Sequence, residues 1–118
     1  MKLWYSNSSP YARKARAVVQ YHQLQDHVEL LLATSGLDKN SPHNLDNPLG
    51  RLPALQQENG EWLYNSSLIA EYLDHLGTQP SLYGNSETRW EILRLHYLAD
   101  GILENEISVA PEKCLRPQ

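Results

Sequence analysis

The stretch Lys2–Lys14, KLWYSNSSPYARK, decides the fold. Lys2 to Tyr5 is short, apolar and aromatic and runs directly into a turn, as a buried strand does. Ser6, Ser8 and Ser9 crowd that turn, and Pro10 follows the last of them. Tyr11, Ala15, Val18, Val19 and His22 then recur at the spacing of one helix face. Ser9 therefore reads as an N-cap and Pro10 as the first helical residue, where a missing N–H costs nothing. Downstream, His27 to Ala33, HVELLLA, is a second run of strand length. A strand after a helix after a strand predicts a right-handed crossover with the two strands parallel.

Further along, Thr34 to Leu49 is rich in Ser, Asn, Asp, Gly and Pro, and reads as a long loop holding at most one short helical turn. Leu52 to Gln57 and Glu61 to Tyr64 are short strands joined across Glu58-Asn59-Gly60, where Asn-Gly favours a tight hairpin. They are expected to be antiparallel. Leu68, Ile69, Tyr72, Leu73 and Leu76 form one helical stripe, with Asn65 or Ser66 as N-cap and Gly77 at the stop. The expected class is α/β, a four-stranded mixed sheet with packed helices that ends near residue 77. Residues 78–85, with Pro80 and Gly84, read as a linker, and 86–118 as a truncated all-α segment whose helix runs from about Ser86 to Ile107 before Pro111. Its apolar residues, among them Trp90, Leu93, Leu98 and Ile102, surround the axis, so burial on several sides is expected. Trp62 and Trp90 read as core or interface residues rather than stacking platforms.

Composition narrows the function classes. The 118 residues, 41% hydrophobic, suffice for one globular domain and its core. A net charge of -4 argues against a protein built to bind nucleic acid. The lone cysteine, Cys114, permits no intramolecular disulfide and no Cys-based zinc site. The five histidines share no ligand spacing, so no metal is expected. Leu3-Trp4-Tyr5 is far too short for a signal-peptide core or a membrane span, and the chain reads as cytoplasmic and soluble.

Three segments, SSPYARK after the first strand, NPLGRLPAL at 47–55 and LYNSSLIAEYLDHL at 63–76, resemble the N-terminal, thioredoxin-like domain of the cytosolic glutathione S-transferases. RLHYLADGI at 94–102 is similar to the first helix of that family's helical C-terminal domain, and the resemblance stops there. It implies a β-α-β-α-β-β-α domain that binds glutathione as co-substrate. It also implies that Ser9 is the activating hydroxyl, in the position before Pro10 that is cysteine in redox relatives of this fold. Ser9 either only caps its helix or also holds a thiolate, since both tasks use the same oxygen. Ser8 is the neighbour to be tested against it.

The resemblance further implies a cis Leu52-Pro53 bond, with the Leu52 backbone pairing with the cysteinyl unit of glutathione, and Asn65-Ser66 gripping its γ-glutamyl end. Arg13 and Lys14 either supply positive potential near the ligand or lie on an exposed helix face, with pairing to Asp100 a further alternative for Arg13. Two functions remain open from these residues. One is an enzyme that joins glutathione to a small electrophile, as in detoxification, or uses it as a reductant; the other is a truncated or non-catalytic relative that binds glutathione or a partner protein without turnover. A homodimer formed largely through the last helix is expected in either case.

Overall fold

The computed structural model describes residues 1–34 and 40–115. Its elements are β1 (Lys2–Tyr5), α1 (Pro10–Tyr21), β2 (Glu29–Leu32), α2 (His43–Asp46), β3 (Ala54–Gln56), β4 (Trp62–Tyr64), α3 (Ser66–Leu76) and α4 (Arg89–Leu115). This is the expected order, and α2 is the single helical turn of the long loop. Residues 35–39 of that loop lie outside the described residues.

Among the described residues the sheet runs β2-β1-β3-β4, with β1 parallel to β2 and antiparallel to β3, and β3 antiparallel to β4. Leu3 pairs with Leu55, and Leu55 with Leu63, in a row on one face. Leu3 and Leu55 are fully buried in a cluster with Val18, Val19, Ile69 and Leu73, so α1 and α3 together cover that face. Residues alternate between faces along a strand, so the next row, Trp4–Ala54–Tyr64, faces the other way. There Trp4 Nε1 donates to Asp46 Oδ2 at 2.7 Å and Tyr64 OH donates to the Asp46 carbonyl at 3.0 Å, which seats α2 on the second face. The domain therefore has three layers, α1 and α3, then the sheet, then α2.

The expected stripe on α3 is rotated. Ile69 and Leu73 are buried as anticipated, but Leu68 and Leu76 are exposed, and the buried face takes in Ser66, Ser67, Ala70 and Asp74 instead. A polar pair accounts for the rotation. His22, at the end of α1, accepts the Gln79 N–H on Nδ1 at 3.3 Å, which places the ring hydrogen on Nε2, 2.8 Å from Asp74 Oδ1. Asp74 also accepts from Ser81 Oγ at 2.6 Å and from the Leu82 N–H at 2.8 Å. One buried carboxylate thus holds α1, α3 and the segment after α3. Gly77 belongs to the same arrangement, because a Cβ there would collide with the His22 ring.

The chain divides into two compact units, Met1–Leu82 and Tyr83–Gln118. In the second, Asn85 Oδ1 accepts from the N–H groups of Glu87 and Thr88, and Thr88 Oγ1 accepts from Asn85 N–H, a reciprocal cap. The sequence places the start of this helix correctly to within its first turn. Its expected end is corrected: α4 continues past Pro111 to Leu115. Proline removes one helical hydrogen bond but does not oblige the chain to stop, and Glu, Lys, Ala and Leu around it favour helix. Among the described residues Trp90 is 74% exposed.

Burial pushes the Asp74 carboxyl upward, yet the hydrogen bonds from Leu82, Ser81 and His22 together outweigh it and hold the group below its ordinary value of 3.8. A depressed carboxylate contributes stability that is complete above the unfolded value and is lost as pH falls through the folded one. Urea melts of wild type and Asp74→Asn should therefore differ most at about pH 6 and converge towards about pH 2.5. A gap that stays constant across that range would contradict an ionised Asp74 latch.

Candidate functional site

The cross-strand row Trp4–Ala54–Tyr64 has a consequence for the loops. Since β1 and β4 both run antiparallel to β3, the exit of β1, the entry to β3 and the exit of β4 lie at one end of the sheet. Ser6–Ser9, Leu52–Pro53 and Asn65–Ser66 are therefore brought together, although up to 60 positions separate them in the chain (66 − 6).

Ser9 is the N-cap of α1: its backbone is extended (φ -80°, ψ 115°), and Oγ accepts from the Ala12 N–H at 3.1 Å. With that lone pair engaged, the hydroxyl hydrogen remains for a second partner. Pro10 follows as the first helical residue. Ser8 is exposed and does not hold the cap. Arg13 lies on the exposed face, while Lys14 reaches across to α3, its Nζ 3.4 Å from Ser67 Oγ. The Arg16 guanidinium stands 4.4 Å from the Tyr5 ring centroid and braces the exit of β1.

The Leu52-Pro53 bond is cis, as the resemblance implies. Both residues are buried, and β3 pairing begins at Ala54, so the Leu52 backbone precedes the paired residues. Asn65 caps α3 through Oδ1, which accepts from the Ser67 N–H at 2.8 Å. Its φ of 75° lies where side-chain-bearing residues are uncommon, a departure that costs of order 1–3 kcal/mol and that Asn tolerates better than most. The cap uses one lone pair of Oδ1, so Asn65 keeps a second lone pair and its amide hydrogens while it sets the helix start. Ser66, next to it, is buried as the first residue of the helix.

Electrostatics favour an anion here. Neither α1 nor α3 has an acidic residue in its first turn, so both positive helix ends are uncompensated from within. Among the described residues no group of three or more His, Cys, Asp or Glu gathers that could hold a metal ion. Sequence reasoning passed over His43 and Asn47, both buried in the loop ahead of Leu52. The Asn-Pro step at 47–48 is the local signal that could have marked one of them.

Comparison with known proteins identifies the family and the fold. Residues 8–76 match the family model described as "Glutathione S-transferase, N-terminal domain". The uncharacterised GST-like protein YibF of Escherichia coli (strain K12) is 30% identical over 115 residues, covering 88% of this chain and 50% of YibF. A glutathione S-transferase from Methylobacillus flagellatus KT, solved with glutathione bound, superposes with a TM-score of 0.87 at 36% identity, over 99% of this chain and 56% of that one. A glutathione transferase family member from Pseudomonas fluorescens Pf-5, also with bound glutathione, gives 0.86 at 36% identity over 98% and 58%. The chain thus spans about half the length of YibF and a little more than half of each solved relative.

Proposed function

Because the chain belongs to the glutathione S-transferase family, we propose that it binds glutathione across the three loops at one end of its sheet and holds the thiol as a thiolate beside Ser9. The observation that carries this reading is the Ser9 hydroxyl, which accepts from Ala12 and keeps its own hydrogen for a sulfur at an uncompensated helix end. Two solved relatives that carry glutathione support it. Ser66 and the first turn of α3 take the γ-glutamyl carboxylate, and the Leu52 backbone takes the cysteinyl unit as an added strand would. Arg13 and Lys14 add positive potential near these helix starts.

A cysteine thiol ionises at ~8.5, so at neutral pH it is mostly protonated and a poor nucleophile. The Ser9 O–H and the helix end favour the charged form, and the displaced proton passes to water. The thiolate then attacks an electrophilic carbon of a small substrate. The S–C bond forms as the bond to the leaving group breaks, and the leaving group departs with the electron pair. A cytoplasmic role in detoxification belongs to the same proposal.

A second copy is part of it as well. Trp90, Leu95, Leu98 and Ile102 on α4 are 74%, 54%, 61% and 57% exposed, which supports α4 as much of a homodimer interface. Sedimentation at micromolar concentration should show a dimer that Leu98→Glu weakens, whereas a monomeric wild type would remove α4 from this role.

For Ser9, the thiolate absorbance of bound glutathione, followed against pH, separates activation from folding. Losing a hydrogen bond to the charged sulfur in Ser9→Ala should raise the bound thiol's pKa by about 1–2 units. Stability should fall by only the ~0.5–2 kcal/mol of a lost cap. Ser8→Ala should change neither. The opposite result, a shift in Ser8→Ala alone, would transfer the role to Ser8.

A further inference from the structure

The loop that delivers Leu52 contains two buried polar side chains that hold successive carbonyls. His43, fully buried, has Nε2 2.9 Å from the Gly50 carbonyl and Nδ1 2.7 Å from Ser41 Oγ. A carbonyl only accepts, so Nε2 carries the hydrogen, and Nδ1 accepts from the Ser41 hydroxyl. Asn47, 1% exposed, donates from Nδ2 to the Arg51 carbonyl at 2.7 Å and accepts the Leu49 N–H on Oδ1 at 2.9 Å. The peptide unit that contains the Arg51 carbonyl also contains the Leu52 N–H. Fixing the plane of one fixes the direction of the other.

The same loop is anchored to the sheet at the row that sets the site. Between His43 and Asn47, Asp46 takes the Trp4 indole hydrogen on Oδ2 and the Tyr64 hydroxyl on its backbone carbonyl. Trp4 and Tyr64 flank Ala54 in that row. Gly50 closes the turn with a φ of 64°, and a Cβ there would lie 2.6 Å from Asn44 Oδ1. An unbroken set of contacts therefore runs from β1 and β4 through α2 to the peptide plane of Leu52.

We propose that His43 and Asn47 are positioning residues for glutathione: they orient the Arg51–Leu52 peptide so that its N–H points at the cysteinyl carbonyl, without touching the ligand themselves. This rests on the reading of Leu52 as a glutathione contact, and it adds the device that makes that backbone a preformed docking strand. Preorganisation of this kind acts on affinity rather than on the sulfur. Its signature is a change in glutathione binding with no change in thiol ionisation.

Asn47→Asp is close to isosteric and keeps the acceptor for Leu49, but it removes the donor to Arg51. In the folded variant, the Leu52 amide should shift and exchange faster without ligand, and the Kd for glutathione should rise about tenfold, the worth of one buried hydrogen bond. The pH titration of the bound thiol should stay at its wild-type position. His43→Gln, which retains an N–H for Gly50, should keep affinity within about threefold, while His43→Leu should lose about tenfold. These two variants decide the matter if Asn47→Asp does not fold. Unchanged affinity and an unchanged Leu52 amide in folded Asn47→Asp or His43→Leu would overturn the proposal. A wild type that does not bind glutathione would remove the functional reading, and the Leu52 amide would then still report whether the two side chains orient that peptide.

Discussion

The antiparallel register that places Trp4, Ala54 and Tyr64 in one row is the constraint from which the rest follows. Strand pairing has a period of two residues, so a slip of one would turn the Leu3–Leu55–Leu63 row away from α1 and α3 and expose it. Burial of that row against the two helices therefore fixes the register. The register in turn fixes which loops meet at the end of the sheet. The candidate site is a by-product of the core: the apolar face sets the alignment, and the opposite face carries α2 and the loop to Leu52.

Both helices that cover the core start at the same end as these loops, so their positive ends add there. Their first turns lack acidic residues, and each is closed by a single side chain, Ser9 for α1 and Asn65 for α3. The two caps differ in what they leave over. Ser9 retains a hydroxyl hydrogen after capping, whereas Asn65 retains its amide hydrogens and adopts a backbone conformation few residues accept. A hydroxyl at the first helix is thus suited to a sulfur anion, and the start of the second to a carboxylate.

Much of this was legible in the sequence because it depends on neighbours in the chain. Ser9-Pro10, Asn59-Gly60 and Asn65-Ser66 announce a helix start, a hairpin and another helix start through local backbone preference. Leu52-Pro53 was legible only through resemblance. What escaped depends on partners far apart. The face that α3 buries is set by Asp74 meeting His22, 52 residues away, and no apolar stripe reports a polar pair. His43 and Asn47 escaped because polar residues in a Ser/Asn/Pro-rich segment read as solvated loop, whereas here they are buried and bonded to carbonyls. At α4 the proline rule overruled the helix formers around Pro111, and the helix does not end there.

On the proposed reading, three loops at one end of the sheet form a single site for glutathione. The most direct measurement is a titration of the isotopically labelled protein with glutathione, followed by backbone amide shifts. Saturable shifts are expected at Ser9, Leu52 and Ser66 with a common Kd, and none along β2, the far edge strand (Glu29–Leu32). Shifts confined to one of the three loops, or centred on another surface, would contradict it.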